Sequence, residues 1–316
     1  MMESIRMLQE KLTILVCSCD NYADLWSPFF ILLKKYWNPR DIRILLNTES
    51  LDFSMDGLDV ECIHSPNEKQ YGQRMLNALS QVKTEYVLLM LDDFFLRQPV
   101  NEARIAEIIR WMDQDPNIIY FNCDPNSVYA DWEVDKYPGF RRIPPGNPYT
   151  FSMQAAIWRT ASLKKSWLPA VNPWEWETLT NVLSYRWRRK KFYCANSRDG
   201  IFLDYGHYRY GDIWGVYRGK WYLDDMEPLF KKENILIDFS IRNNCVPSEQ
   251  KPLIPAEGWG TYAHIGRCLG KGEVPRYYLF NKYCQFLTMM KKPVNWDYFK
   301  FLQDRAQKRF LRKHPK

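Results

Sequence analysis

The chain has 316 residues, 46% of them hydrophobic and 26% charged, with a formal net charge of +7. That balance excludes a wholly disordered protein, and the length suits about two domains or one large domain with an appendage. No apolar run approaches the roughly 20 residues that cross a bilayer, and the N-terminal MMESIRMLQEKLTILVCSC has neither the apolar core nor the cleavage site of a secretion signal.

Leu12–Cys17 (LTILVC) is short, apolar and rich in β-formers, which predicts a buried strand. Asp20–Tyr22 reads as a loop, and Leu25–Tyr36 as a helix that Pro39 ends. Asp41–Leu46 predicts a second strand closed by the polar loop 47–50, and Val60–Ile63 a third. Tyr71–Val82 carries Met75, Leu76 and Leu79 at helical spacing. Tyr86–Leu91 (YVLLML) is a strand stopped by Asp92 and Asp93; Asn101–Asp113 is an amphipathic helix, and Ile118–Asn122 another strand. Strands alternating with helices predict a mostly parallel sheet with helices on both faces, a doubly wound α/β layer.

The pattern breaks after residue 124. Residues 124–150 are rich in Pro, Gly, Tyr and Asp and predict a long surface excursion. The strand-like AAIW (155–158) follows, then a helix over Trp174–Tyr185 introduced by Asn172–Pro173, then a Gly-, Tyr- and Trp-rich loop over 199–224. A boundary near 245–258 separates a body of residues 1–245 from an extension of residues 246–316. Residues 271–316 alone carry a net charge of +9, interleaved with aromatic residues, and the remainder a net of −2. Such an extension suits either an anionic membrane surface or a solvated amphipathic helix packed on the body. No nucleic-acid motif accompanies the charge, so nucleic acid is not expected as a partner. Eight cysteines form no CxxC pair and four histidines form no HExxH, which argues for reduced thiols in a cytosol and against a zinc ribbon.

Four constellations could carry chemistry. In YVLLMLDDFFL an apolar strand delivers Asp92 and Asp93 to its carboxyl end, where open α/β sheets bind ligands. Adjacent carboxylates there can hold a hard divalent cation (Mn2+ or Mg2+) that neutralises a diphosphate, or can simply cap the next turn. On the preceding helix, Arg74 and Asn77 lie on adjoining turns, Arg74 is a natural phosphate partner, and Gly72 would let a backbone approach a ligand. In NPWEWE, Glu175 and Glu177 are flanked by Trp174 and Trp176, surroundings that raise a carboxyl pKa as a general base needs; first-turn glutamates favoured by the helix dipole are the alternative. Arg218 and Lys220 sit in a Gly-punctuated segment that could close over a phosphate or be an ordinary basic loop.

Together these segments resemble a GT-A glycosyltransferase, similar to family 2, over roughly residues 10–240. LTILVCSCDNY looks like that family's first strand and nucleotide-binding turn, EYVLLMLDDFFL its acidic strand end, and QAAIWRTASL with NPWEWE its acceptor side. The pairing of LDDFFL, PW-x-x-E and a later GKW is similar to a subgroup that assembles bacterial polysaccharides. The resemblance implies a Rossmann-like, mostly parallel sheet flanked by helices, and transfer of a sugar from a nucleotide sugar, UDP being the common choice, with inversion. It implies a saccharide acceptor, lipid-linked if the basic tail meets the inner face of the cell membrane, as in capsular or surface polysaccharide synthesis.

It also implies residue roles. Ser18, Cys19 and Asp20 together with residues 47–49, ending at Glu49, would hold base and ribose; Arg74 and Asn77 would line the donor; Asp92 and Asp93 would sit at the metal and diphosphate. Glu177 would be the general base, with Glu175 second. One departure stands out: the third position of the usual Asp-x-Asp is Phe94. The ion would then be held by one or two adjacent carboxylates, or Arg218 and Lys220 would take over its charge. Two rivals remain. A nucleotidyltransferase typically has a Gly-rich phosphate loop, whereas CSCDNYADLW has no glycine. A non-catalytic carbohydrate-binding or scaffold protein would retain the fold without turnover.

Overall fold

Helix α1 (Met2–Lys11) leads straight into strand β1 (Leu12–Cys17), every residue of which is buried. A 3-10 turn (Asp20–Tyr22) passes the chain to α2 (Ala23–Tyr36), then β2 (Ile44–Asn47) and β3 (Val60–Ile63). Next come α3 (Tyr71–Gln81), β4 (Tyr86–Leu91), α4 (Glu102–Gln114) and β5 (Ile118–Asn122). The later chain adds β6 (Trp132–Glu133), β7 (Phe140–Arg142), β8 (Ala156–Arg159), α5 (Thr160–Ser166) and β9 (Lys191–Ala195). A hairpin of β10 (Val216–Tyr217) and β11 (Lys220–Trp221) then precedes α6 (Leu223–Glu233). This computed structural model describes residues 2–39, 41–123, 132–133, 136–143, 150–169, 171–173, 176–177, 184, 187, 189–195, 200–205, 215–217 and 219–245.

One nine-stranded sheet has the order β3-β2-β1-β4-β8-β5-β9-β7-β6. The first four strands are mutually parallel. β8 is inserted antiparallel between β4 and β5, β9 is parallel to β5, and β7 turns back against β9. All strands but β7 and β8 therefore run one way, the mostly parallel α/β sheet that the alternation predicts. Side-chain alternation splits the core into two layers. Ile14, Val16, Leu88 and Met90 face one way, toward Phe29 and Leu33 of α2, Ile108 of α4 and Phe230 of α6. Leu15, Val87 and Leu89 face the other way, toward Met75 and Leu79 of α3, Leu163 of α5 and the indoles of Trp158, Trp167 and Trp176.

Several expectations need correction. β2 begins at Ile44 rather than Asp41, because Ile42 is buried within the turn before it. The described part of 124–150 is not a surface excursion: β6 and β7 extend the sheet, and Tyr137, Phe140 and Ile143 are buried. The Tyr137 and Phe140 rings close on Phe121, and Phe121 and Tyr193 stack at 4.9 Å, so the segment is held by aromatic packing without strand periodicity. The described part of 199–224 holds the β10–β11 hairpin and the start of α6. The helix expected over Trp174–Tyr185 lies mostly outside the described residues, although Pro173, Trp176 and Glu177 are helical. The whole extension 246–316 lies outside them as well.

Candidate active site

The chain leaves β1 toward β2 on one side and leaves β4 toward β5 on the other, so the carboxyl ends of β1 and β4 border a topological switch point. Their register pairs Cys17 with Leu91, which puts Ser18 and Asp92 side by side just beyond the strands. The Ser18 hydroxyl donates to the Asp92 carboxylate, and Trp26 Nε1 donates to Ser18 Oγ at 2.6 Å. Asp92 is buried and Asp93 half-buried. Burial first, and repulsion from Asp93 second, hold the Asp92 carboxyl far above the usual range, against the Ser18 bond and the Arg242 charge. Burial raises Asp93 too, and Arg242 again works the other way.

The chain beyond the pair is fixed by packing. Phe94 lies edge-on to Tyr205 at 5.5 Å, and Phe95 lies against Trp221 and Phe230. The third motif position is thus a core residue. Gly215 N donates to Asp93 O at 2.8 Å, and a Cβ on Gly215 would lie 2.2 Å from the Phe95 ring and 2.9 Å from Asp93 O. Only glycine admits that approach. It holds the hairpin bearing Lys220 against the acidic strand end; Arg218 lies outside the described residues.

On the β2 side, Asp20 and Glu49 latch two loops together. Asp20 N donates to Glu49 Oε2 at 2.7 Å, while the Asp20 carboxylate accepts from Glu49 N at 2.9 Å and Ser50 Oγ at 2.6 Å. Desolvation opposes ionisation of Asp20, but the Ser50 hydroxyl and the amides of Glu49, Ser50 and Leu51 outweigh it and keep the carboxyl below its usual range. Glu49 also pairs with Arg74 Nη1. Among the described residues the buried Arg74 Nε, Asn47 Oδ1 and Thr48 Oγ1 have no hydrogen-bond partner. Buried polar atoms are nearly always paired, so this end of β2 and α3 has room in its bonding for a polar ligand. Asn77 does not join that group: it bonds Gln73 at 2.9 Å and Ser65 at 3.1 Å and ties α3 to the loop after β3. Gly72 does not face a ligand either, because a Cβ there would meet Leu168 O at 2.0 Å; its close approach is to the 168–171 backbone.

Glu177 is placed by the packing of its neighbour Trp176 and by the backbone of Met153. Trp176 stacks on Trp167 at 4.8 Å with the planes 8° apart, and its Nε1 donates to Ser166 Oγ at 3.1 Å. Met153 N donates to Glu177 Oε1 at 2.7 Å. Met153 precedes β8, whose Ala156 pairs with Leu89 of β4 and Asn122 of β5, so Glu177 is tied to the same sheet edge as Asp92. Burial pushes the Glu177 carboxyl up to about 7 despite the Met153 bond. Glu175 lies outside the described residues.

Arg242 carries no signal in the sequence. It follows α6 in a segment without a motif, yet its side chain is buried and returns to the switch point. It is bidentate to Asp24 at 2.6 and 2.7 Å, donates to Asn21 O, and lies 4.4 Å above the Tyr22 ring. Its charge opposes the rise in both Asp92 and Asp93. Only the tertiary fold brings residues 24, 92 and 242 together.

The site is therefore an acidic strand end at the switch point of a mostly parallel α/β sheet, with unpaired buried polar atoms at the end of β2 and a half-buried glutamate tied to the segment before β8. No family model matches the chain, and no curated protein matches it. Among solved structures, TarS 1–349 of S. aureus in complex with UDP is similar at 14% identity and a TM-score of 0.43, over 61% of this chain and 59% of that one. A mannosyltransferase of Pyrobaculum calidifontis in complex with GDP-Man and Mn2+ is similar at 12% identity and a TM-score of 0.41, over 96% and 86%. The UTP-bound UGPase of Acinetobacter baumannii reaches a TM-score of 0.37 at 12% identity, over 60% and 90%. The chain spans about three fifths of the length of the TarS 1–349 chain with UDP.

Proposed function

We propose that this chain is a glycosyltransferase that moves a sugar from a nucleotide-sugar donor to a saccharide hydroxyl. The observation that carries the reading is the carboxylate pair at the end of β4, bonded through Asp92 to Ser18 across the switch point. Two carboxylates repel a bare diphosphate but suit one that arrives with a divalent cation, and the unpaired polar atoms of Asn47, Thr48 and Arg74 lie at the neighbouring end of β2 and α3.

The two carboxylates fit a hard divalent cation: they offer oxygen donors only, and desolvation disfavours both as anions, with repulsion from Asp93 added for Asp92. Among the described residues no third His, Cys, Asp or Glu joins them in ligand range, so diphosphate oxygens and water would complete the shell. Bound there, Mg2+ or Mn2+ would supply positive charge to the diphosphate. Arg242, and Lys220 on the adjoining hairpin, add charge from the protein.

Glu177 takes the proton of the acceptor hydroxyl as that oxygen attacks the anomeric carbon. The bond from that carbon to the diphosphate oxygen breaks on the opposite face, which inverts the centre. A carboxyl raised to about 7 is matched to this work near neutral pH. The stack of Trp176 on Trp167 anchors the helical turn that carries Glu177.

The finer reading is a UDP-sugar donor and a lipid-linked acceptor in capsular or surface polysaccharide synthesis. The basic, aromatic extension would dock on the inner face of the cell membrane; no helix among the described residues is long and apolar enough to span it. Deleting residues 271–316 should then move the protein out of the membrane fraction, and unchanged fractionation would refute that docking.

The function is tested by incubating the protein with a panel of nucleotide sugars and saccharide acceptors and assaying the products. Release of nucleoside diphosphate with a glycosylated acceptor is expected. Pyrophosphate release from nucleoside triphosphate and sugar phosphate would identify a nucleotidyltransferase instead, and binding without turnover a scaffold.

A further inference from the structure

We infer that Asp52, Cys62 and His64 form a binding site for a borderline-soft divalent cation of the Zn2+ class, separate from Asp92 and Asp93. One ligand atom from each of the three residues lies within 4.8 Å of the other two. Cys62 and His64 are two apart at the end of edge strand β3, so the strand's period of two puts them on one face. Asp52 comes from the loop after β2, and its Oδ1 lies 3.1 Å from His64 Nε2.

The scaffold holds Cys62 and the backbone beside Asp52, and leaves the Asp52 carboxylate and the His64 ring accessible to an ion. Cys62 pairs with Leu46 in the β2–β3 ladder. Asp52 is fixed by its neighbour Phe53, whose ring stacks on Phe30 at 4.9 Å and meets Trp26 edge-on at 6.0 Å. Phe53 N donates to Cys62 Sγ at 3.1 Å. That bond survives when the thiol becomes a thiolate, and N–H groups on a ligand sulfur orient it and tune its affinity.

The donor set chooses the ion. A sulfur, an imidazole nitrogen and one carboxylate suit Zn2+ and disfavour Mg2+ or Ca2+, which want oxygen. Three protein ligands leave a fourth position for water. Binding expels one proton, that of the Cys62 thiol, for each ion taken up. The ion would clamp residue 52 to β3 and so stiffen the loop in which Glu49 and Ser50 grip Asp20. The proposal stands independently of the sugar-transfer reading.

The test uses the full chain stripped of metal, titrated with Zn2+ against a chromogenic chelator and with Co2+ as a spectroscopic probe. One ion per chain with a thiolate-to-cobalt absorption band is expected. The band should vanish in Cys62→Ser and weaken in His64→Ala. It should persist in the Asp92→Asn/Asp93→Asn double variant. A band that survives Cys62→Ser, uptake lost only in the double variant, or no thiolate band at all would overturn the assignment. Alkylation of Cys62 gives a second measurement on the unaltered chain: Zn2+ should slow it, and an unchanged rate would count against the site.

Discussion

The two halves of the sheet are built from different materials. From β3 to β4 the strands are parallel and their buried residues mostly aliphatic: Leu12, Ile14, Leu15, Val16, Leu45, Leu88 and Leu89. From β8 to β6 parallel and antiparallel pairings are mixed, and the packing is aromatic. Tyr120, Phe151, Trp158, Trp176 and Phe192 form one connected group on one face. Phe121, Tyr137, Phe140 and Tyr193 form another. The first half places Ser18 and Asp92 by backbone register, and the second supports Glu177 by stacked rings. Backbone register tolerates changes of side chain, whereas a ring stack fails when one plate is removed.

The largest effect expected from that contrast is Trp167→Ala. It removes the plate under Trp176 and should cost about 3–5 kcal/mol of stability. Denaturant unfolding checks this, and activity should fall with it because the support of Glu177 goes too. A loss below about 1 kcal/mol would show that the aromatic half is not held by its rings.

Asp93→Asn should do the opposite to the two properties. Transfer should drop roughly 10²–10³-fold, as for loss of one charge-stabilising group. Stability in chelator should rise at neutral and alkaline pH. The Asp93 carboxyl is held above its usual range, so its stabilising contribution is full when protonated and is lost as pH rises through its folded value. Asn does not ionise and escapes that loss. Thermal melts across pH separate the two curves.

Gly215→Ala forces a Cβ to within 2.2 Å of the Phe95 ring and should cost about 1–3 kcal/mol through overpacking. Activity should fall further than stability explains, because the displaced backbone carries Asp93. A melt and an assay on the same preparation compare the two losses.

The gentlest probe is pH. With Glu177 raised to about 7, kcat/KM should climb with a midpoint near 7 and fall about tenfold per pH unit well below it. A midpoint near the usual glutamate value would place the acceptor proton on another group.

How much of this was legible in the sequence follows the same division. β4 and β5 match the expected Tyr86–Leu91 and Ile118–Asn122, because their apolar runs are long enough to bury both faces. α4 runs over Glu102–Gln114, one residue on from the expected Asn101–Asp113, because Asn101 caps it, accepting from Arg104 N at 3.0 Å. In the aromatic half, β7 and β9 escaped notice because Phe140, Phe192 and Tyr193 sit in short segments with charged neighbours and no clear period. The placement of Asp92 and Asp93 at the end of β4 was readable from the local motif. Arg242 and Gly215 were not, since each acts on residues more than a hundred positions away. Gly72 and Asn77 showed the reverse failure: suggestive spacing spent on helix packing and a loop tie.

Glu177→Gln separates the two roles proposed for the acidic strand end and for the half-buried glutamate. Donor affinity and sugar transfer should be measured on the same purified variant, by calorimetric titration and by product assay. The account predicts donor binding close to that of the unaltered protein with transfer abolished. Transfer at an undiminished rate would contradict it.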